Sequence, residues 1–164
     1  TAVISTASRP DSIAWTKDHG ADYVVNHRKN LITQVRKIGY KYVDYILELN
    51  DLDGHWKEMC ELIKLEGHIV SITENHRPIN LRLLTKKKAH FSWEWMYTKS
   101  YYHTDDMISQ HEILDKIAQM LDNGKLKSTL NKTLSPLNAQ NLRKAHKLVE
   151  SGHMTGKVVV SKWS

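Results

Sequence analysis

Hydroxyl and cationic side chains directly follow the first apolar segment of the chain. Ser8 and Arg9 come after Ala2–Ala7, which is short, apolar and rich in β-branched residues, as a buried strand is. In open, doubly wound parallel sheets, ligands bind outside the carboxyl ends of the strands. After the second strand of such a sheet, an acidic residue suits NAD, whereas a hydroxyl with a cation suits the 2′-phosphate of NADP. Arginine fits this role because its planar guanidinium can bind phosphate bidentately.

Two further predicted strand ends carry polar side chains. Asn26, His27 and Arg28 close one strand and could add donors around an adenosine phosphate, and Ser71–Asn75, which includes Thr73, closes another. Ser8 and Arg9 also have a simpler interpretation, in which they form a helix cap followed by a solvated cation. The sequence alone leaves both interpretations of Ser8 and Arg9 open.

Strand-like and helix-like segments alternate over the first two-thirds of the chain, which predicts βαβ units and a parallel sheet. The predicted strands are Ala2–Ala7, Ala21–Val25, Tyr42–Leu47 and His68–Ile72. The predicted helices run from Ile13 to Gly20, from Leu31 to Gly39 and over His55–Leu65, with Gly67 as the stop of the third.

The last third of the chain has a different pattern. Phe91, Trp93, Trp95 and Tyr97 alternate with a period of two, which predicts a strand over Phe91–Tyr97. The elements predicted after it are a long helix capped by Thr104 or Asp105 and ended by Gly124, a helix that follows Ser135–Asn138 and ends at Gly152, and a strand over Gly156–Val160.

Length and composition indicate a globular, cytoplasmic protein. The chain has 164 residues, of which 40% are hydrophobic and 26% charged, and this balance argues against disorder. No apolar run approaches the roughly 18 residues that a membrane span needs. Thr1–Ser5 lacks the features of a signal peptide, and the single cysteine, Cys60, excludes an internal disulfide and a cysteine-based zinc site.

The charge balance is basic and is compatible with several partners. Lys and Arg number 24 against 18 Asp and Glu, for a net charge of +6, which suits nucleic acid, an anionic membrane or a phosphorylated ligand. Lys86–Lys88 could be a nucleic-acid patch, but a solvated loop before a strand is favoured. Trp93 and Trp95 could stack on bases, but a strand packed on one face is favoured.

Metal binding is not expected from this sequence. The chain has ten histidines but no H-E-x-x-H motif, and His103 and His111 are eight residues apart. Glu48 and Asp51 flank a predicted strand end and could form an acid pair, although nothing in the sequence fixes their geometry.

An ordered set of segments resembles the medium-chain dehydrogenases of the zinc-type alcohol dehydrogenase and quinone oxidoreductase group. Phe91–Thr98 resembles a zinc-type alcohol dehydrogenase-like subgroup whose members frequently lack zinc. The other segments that carry the resemblance, in chain order, are Ser5–Pro10, Gly20–Arg28, Val43–Leu47, Leu62–Val70, Ser135–Leu137, Ala145–Gly152 and Gly156–Val160.

The resemblance implies a Rossmann-like, doubly wound, mainly parallel sheet and an NADPH-dependent oxidoreductase. Such an enzyme transfers a hydride between nicotinamide and a small carbonyl, quinone or alcohol substrate. Ser8, Arg9 and His27 would hold the 2′-phosphate end, with Arg28 as a weaker candidate. The main chain near Thr73 and from Phe91 to Trp93 would line the nicotinamide. Phe91–Tyr97 would pair across a homodimer axis, as the edge strand does in this family.

The chain also departs from the family. It contains no G-x-G-x-x-G motif and starts after the position where the family has its first strand, glycine-rich loop and first helix. Residues 1–164 would therefore form part of an NAD(P)-binding domain, with about 126–164 packing back toward an N-terminal catalytic domain. In the strand order 3-2-1-4-5-6 the central strand is missing, which leaves two sheet edges unpaired. We expect a fragment, whether a remnant or a piece of a longer protein, that is inactive alone and has little affinity for NADP.

Two other functions remain compatible with the sequence. A basic α/β module could bind a polyanion such as nucleic acid, in which case a cationic stripe would run across several elements. A domain could also keep the fold without the chemistry and serve a structural role. The hydroxyl and arginine after the first strand favour the oxidoreductase.

Overall fold

The computed structural model describes residues 1–163, and strands and helices alternate along it. The strands are β1 (Ile4–Thr6), β2 (Tyr23–Val25), β3 (Val43–Glu48), β4 (Ile63–Ser71), β5 (His90–Trp93), β6 (Leu130–Leu134) and β7 (Lys157–Val160). The helices are α1 (Pro10–Asp18), α2 (Leu31–Lys37), α3 (Leu52–Leu62), α4 (Arg82–Thr85), α5 (Thr98–Tyr102), α6 (Ser109–Asp122) and α7 (Ala139–Glu150).

All strand pairs between these elements are parallel, which confirms the predicted α/β class. The sheets are β1–β2, β3–β4–β5 and β6–β7. β1 and β3 lie in different sheets and do not pair within residues 1–163, as expected for a strand order whose central strand is missing.

The chain divides into two compact units. The first comprises residues 1–8 and 21–107, and the second comprises residues 9–20 and those from 108 onward. The first unit holds β1 to β5 with α2 to α5, and the second holds α1, α6 and the β6–α7–β7 segment.

Two apolar clusters form the core of the first unit. One places the buried face of α3, including Trp56, Met59 and Cys60, against Ile63 and Ile69 of β4. The spacing of three and four residues puts these side chains on one helical face. Burial raises the pKa of the Cys60 thiol to about 11, which makes it an inert core residue.

The second cluster packs α2 against both sheets of the first unit. Its buried members are Val25, Leu31, Val35 and Leu62, and Ile4, Val43 and Ile46 are among the partly buried residues packed on them.

Side-chain caps fix where three of the helices begin. Asn30 accepts a hydrogen bond from the Thr33 N–H at 2.8 Å, and Asp51 accepts one from Gly54 at the same distance. Asn138 accepts one from Asn141 at 2.9 Å. Each cap satisfies one of the backbone donors that a helix leaves free at its start.

The predicted end of the third helix is wrong. α3 ends at Leu62, β4 begins at Ile63, and Gly67 lies inside the strand rather than stopping the helix. Val43 pairs with Ile63 and Tyr45 pairs with His68, so β4 bulges between these two pairs. A Cβ at Gly67 would lie 2.9 Å from the Asp44 carbonyl oxygen, so this glycine permits a close approach of two strands.

The predicted strand Phe91–Tyr97 is too long. β5 ends at Trp93, and the chain then turns into the short helix α5. The Trp95 ring contacts Tyr97 and Tyr101, with centroids 5.7 and 5.5 Å apart, so the aromatic residues cluster with one another instead of extending the strand.

Two other elements in the last third also differ from the prediction. The helix predicted to begin at Thr104 or Asp105 begins at Ser109. β6 was missed because its inner residues, Asn131, Lys132 and Thr133, are polar and show no apolar run.

The lysine run Lys86–Lys88 is not simply a solvated loop. The Lys87 ammonium group donates to the carbonyl oxygens of Cys60, Glu61 and Ile63 at 2.9, 2.7 and 2.7 Å. A cation at the carboxyl end of α3 satisfies carbonyls that the helix leaves free and interacts favourably with its dipole.

We expect Lys87→Met to lower the free energy of unfolding by about 1 to 3 kcal/mol, because it removes the ammonium group that satisfies these three carbonyls. Denaturant unfolding measures the change. Lys86→Met is the matched control, since Lys86 is the exposed neighbour and its replacement should change stability by no more than about 0.5 kcal/mol. Equal effects of the two variants would contradict the capping role of Lys87.

Candidate functional site

The carboxyl ends of β1 and β2 lie side by side. Thr6 pairs with Val25, and the Ala7 N–H donates to the Val25 carbonyl oxygen at 2.9 Å. Ser8 and His27 therefore leave the sheet at the same edge, which is the edge where open parallel sheets bind ligands.

The structure agrees in part with the simpler interpretation of Ser8 and Arg9, because a helix does begin here. Arg9, not Ser8, is the N-cap residue of α1, and Pro10 is the first helical residue. Within residues 1–163 the Ser8 hydroxyl has no hydrogen-bond partner, so it caps nothing. The Arg9 side chain is ordered: Nε lies 3.3 Å from Asp11 Oδ1, and Nη2 donates to the His153 carbonyl oxygen at 2.9 Å.

The loop after β2 is held by side chains. Gln34 accepts from the Asn26 N–H at 2.9 Å and donates to the Asn26 carbonyl oxygen at 3.0 Å. The Arg28 N–H donates to Asn26 Oδ1 at 2.9 Å, and the Arg28 side chain is exposed. Burial lowers the pKa of His27, and the nearby charges of Arg28 and His55 lower it further. At neutral pH a neutral His27 can donate a hydrogen bond but carries no charge.

The three-stranded sheet places another set of side chains in one row. Glu48 pairs with Ser71 across β3 and β4, and Ser71 pairs with Trp93 across β4 and β5. The row continues into the loops, because Ile72 donates to the Glu48 carbonyl oxygen at 3.1 Å and Glu94 donates to that of Ser71 at 2.8 Å.

The Glu48 carboxylate connects the strand ends of this sheet. Glu48 is 6% exposed, and its Oε2 accepts from the Ser71 hydroxyl at 2.7 Å and from the Thr73 hydroxyl. Its Oε1 accepts from the N–H groups of Asn50, at 2.6 Å, and Asp51. Glu48 and Asp51 are therefore not an acid pair, since Asp51 caps α3 and donates its N–H to Glu48.

These hydrogen bonds decide the charge of Glu48. Burial by itself raises the pKa, but the hydrogen bonds from Thr73, Ser71 and the two main-chain N–H groups outweigh it. The pKa therefore lies below its ordinary value, and the buried carboxylate is charged at neutral pH.

A cavity of about 360 Å³ opens beside this network, between the loop that leads into α3 and the loop that follows β4. The second loop is anchored by Asp53, which accepts from the N–H groups of His76 at 2.7 Å and Arg77 at 3.3 Å. The residues that line the cavity are Asn50, Asp51, Leu52, Asp53, Thr73, Glu74 and His76.

Phe91 and Trp93 occupy different environments. The Phe91 ring packs edge-on against Trp56 of the core, with centroids 5.1 Å apart, so only its main chain is available at the sheet edge. The Trp93 side chain is 53% exposed at the end of β5.

The structure thus brings the candidate residues together in two sets. Ser8, His27 and Arg28 follow β1 and β2, and Thr73 and Trp93 follow β4 and β5, all in the first unit, whereas Arg9 belongs to the second. Sequence reasoning missed that Glu48 and Ser71 join the second set. The available signal was a carboxylate and a hydroxyl at the ends of two successive parallel strands.

Known proteins resemble this chain in sequence and in fold. A family model described as zinc-binding dehydrogenase matches residues 19–160. A zinc-type alcohol dehydrogenase-like protein of Staphylococcus epidermidis strain ATCC 12228 is 38% identical over 97% of the chain and 47% of its own length. One from Staphylococcus aureus strain MSSA476 is 36% identical over 97% of the chain and 48% of its own length.

Solved structures agree with these relatives. A protein from Rhizobium etli CFN 42, assigned as a zinc-dependent alcohol dehydrogenase, superimposes with a TM-score of 0.90 at 35% identity, over 99% of this chain and 47% of its own. A quinone oxidoreductase from Pseudomonas syringae pv. Tomato DC3000 shares the fold, with a TM-score of 0.72 at 19% identity, over 97% of this chain and 49% of its own.

The parallel sheets and these structural neighbours define a Rossmann-like α/β protein, of the type that forms the cofactor domain of alcohol dehydrogenases. The chain belongs to the zinc-binding dehydrogenase family, a family of alcohol dehydrogenase-like oxidoreductases. It spans about half the length of the curated relatives it matches.

The family name raises the question of zinc. Within residues 1–163, no group of three or more His, Cys, Asp or Glu side chains is arranged to hold a metal ion, so these residues do not fit a zinc site. In the same part of the chain, no helix combines the length and the apolar character needed to cross a membrane.

We expect Glu48→Gln to flatten the loss of stability in acid. Because the folded chain lowers the pKa of Glu48, it binds the proton less readily than the unfolded chain does. The resulting stabilisation is complete above the ordinary glutamate pKa of about 4.3 and is lost as the pH falls through the lowered value.

Denaturant unfolding between neutral pH and about pH 3 measures this effect. The difference in unfolding free energy between wild type and Glu48→Gln should shrink with acidification. Asp44→Asn, on the same strand, is the control, since its carboxylate pairs with Lys64 in an exposed position and its removal should have little effect. A difference for Glu48→Gln that stays constant over this range would contradict the prediction.

Proposed function

We propose that this chain forms part of the cofactor domain of an NADPH-dependent oxidoreductase, which transfers a hydride between nicotinamide and a small carbonyl, quinone or alcohol substrate. Membership of an alcohol dehydrogenase-like family supports the reaction class. The pair Ser8–Arg9, directly after β1, is the observation that carries the choice of NADPH.

Ser8 and Arg9 have hydrogen-bonding capacity left for a phosphate group. The Ser8 hydroxyl is unpaired within residues 1–163. The guanidinium of Arg9 has five N–H donors, and its contacts with Asp11 and His153 leave several of them for a ligand. A hydroxyl and an arginine fit a 2′-phosphate, whereas the 2′-hydroxyl of NADH would call for an acidic residue.

The remaining site residues serve the two ends of the cofactor. His27 donates a hydrogen bond near the adenosine phosphate, and Arg28 contributes an exposed positive charge. The main chain at Thr73 and from Phe91 to Trp93 lines the nicotinamide. When bound, the cofactor supplies the hydride chemistry, and the residues of this chain orient its reactive carbon.

Residues 1–164 supply part of the cofactor domain in this proposal, and the segment from about 126 to 164 packs toward a catalytic domain in a longer, cytoplasmic protein. The chain has no G-x-G-x-x-G motif to cradle the pyrophosphate, so by itself it is inactive.

We expect Arg9→Ala, in the intact gene product that carries this chain, to weaken NADPH binding by about 10-fold to 100-fold and to leave NADH binding unchanged, because only NADPH has the extra phosphate. Fluorescence titration with each cofactor measures the two dissociation constants. Arg36→Ala is the control, since Arg36 pairs with Glu61 on the surface of the first unit. An equal loss for both cofactors, or no loss, would remove Arg9 from the site.

The same gene product is proposed to form a homodimer through Phe91–Tyr97. β5 is an edge strand of its sheet within residues 1–163. Exposed aromatic side chains follow it, including Trp95 and Tyr97, which are 47% and 57% exposed. Open strand edges and exposed apolar patches are typical of protein interfaces.

We expect Trp95→Glu to convert this dimer into a monomer, because a carboxylate buried in an apolar interface is costly. Sedimentation equilibrium at several concentrations measures the change. Val149→Glu is the control, because it places the same charge on an exposed apolar position of α7. A monomeric wild-type protein, or a dimer that Trp95→Glu leaves intact, would contradict the proposal.

A further inference from the structure

We infer that Glu48 is a positioning residue for the nicotinamide end of the cofactor site: its buried carboxylate holds the loop after β4 against the loop before α3. The inference rests on the proposed function, since it assigns Glu48 to the site that Thr73 and Trp93 line. Glu48 does not itself touch the cofactor in this proposal but acts through Thr73.

The hydrogen bonds of Glu48 link the end of β4 and the loop after it to the loop before α3. One carboxylate oxygen takes the N–H groups of Asn50 and Asp51, which lead into α3. The other takes the hydroxyls of Ser71 and Thr73, where β4 passes into the next loop. Residues of both loops line the 360 Å³ cavity, so the carboxylate holds the two parts of the lining together.

Thr73 is held more firmly than a surface loop residue usually is. Its N–H donates to Ser71 Oγ at 3.1 Å, and its hydroxyl donates to Glu48. Farther along, Asp53 accepts from the N–H groups of His76 and Arg77. The loop is therefore held at Thr73 and again at His76 and Arg77, next to the cavity.

The carboxylate cannot be replaced by an amide without loss. Four donors converge on two acceptor oxygens. Glutamine keeps one acceptor oxygen for the two main-chain N–H groups, and its NH₂ group can only donate, so the Ser71 and Thr73 hydroxyls would have to turn and accept from it. Glu48→Gln therefore replaces hydrogen bonds to a charged acceptor with weaker neutral ones on the Thr73 side of the network.

The first test compares cofactors in the intact gene product. Glu48→Gln should weaken NADPH and NADH by the same factor, about tenfold, because the nicotinamide end is common to both. The same variant should leave the dissociation constant of 2′-phospho-ADP-ribose, which lacks nicotinamide, within about twofold of wild type. Arg9→Ala should weaken the binding of NADPH and of 2′-phospho-ADP-ribose and leave NADH binding unchanged, because Arg9 acts at the phosphate end.

Two control variants separate positioning from general destabilisation. Ile69→Val removes one methyl group from a fully buried position of β4 and touches no member of the network, so it should lower the melting temperature without changing either cofactor's affinity. Asp44→Asn removes one negative charge from the same strand as Glu48. It should leave both affinities unchanged.

The second test measures the coupling of Glu48 and Thr73. Thr73→Val should reproduce the effect of Glu48→Gln, Thr73→Ser should retain wild-type affinity, and the double variant Glu48→Gln with Thr73→Val should be no worse than either single variant. Losses that multiply in the double variant would show that the two residues act independently, and would overturn the inference.

The outcomes also distinguish the inference from the proposed function. A wild-type gene product that binds neither NADPH nor NADH would overturn both. If wild type binds both cofactors normally, three results would overturn only the role of Glu48. They are unchanged cofactor affinity in Glu48→Gln, an equal loss of cofactor affinity in Ile69→Val, and a loss of affinity for 2′-phospho-ADP-ribose in Glu48→Gln as large as the loss for the cofactors.

Discussion

The buried charge of Glu48 constrains the structure around it. A carboxylate taken out of water is costly unless hydrogen bonds replace its hydration. The parallel register of β3 and β4 places Ser71 beside Glu48 and Thr73 just beyond it, and the start of α3 supplies two N–H groups. Every element that meets at this end of the sheet must therefore keep its position for the carboxylate to stay satisfied. One polar group links the elements at this end of the sheet, whereas apolar side chains of α3 pack against the buried residues of β4.

The two places that the proposal assigns to the ends of the cofactor differ in their charged groups, and in the proposal this difference would set the direction of the cofactor. The cavity beside Glu48 is lined by carboxylates, including Asp51, Asp53 and Glu74, and would repel a phosphate group. Ser8 and Arg9 offer unused donors after β1. A phosphate therefore suits the end of β1, and an uncharged or cationic ring, as nicotinamide is in its reduced and oxidised forms, suits the cavity. The overall basic charge is not the relevant quantity, since acidic and basic groups are separated between the two places.

The alternation of strands and helices could be predicted because it rests on local patterns. Apolar β-branched runs, glycine stops and helical spacing placed the seven-element core from β1 to β4, and the family resemblance supplied the strand order. The predictions failed where a distant contact decides the conformation. Gly67 marks a close approach to Asp44 rather than a helix end, and the aromatic residues after Trp93 pack on one another instead of extending β5. Polar β6 exists because it pairs with apolar β7, which no property of β6 itself indicates.

The candidate site was predictable to the same extent. Polar residues after strands could be recognised, because a parallel sheet collects all such ends at one edge. The hydrogen-bond partners of those residues could not be predicted from the sequence. Glu48 meets Ser71 and Thr73, and Lys87 meets the end of α3, across more than twenty residues of chain in each case. Sequence periodicity carries no information on contacts between residues so far apart in the chain. A lysine that caps a distant helix has the same local sequence as a lysine exposed to water. A carboxylate at one strand end with hydroxyls at the next is nevertheless a pattern that can be read, because the register of a parallel pair forces such groups to meet.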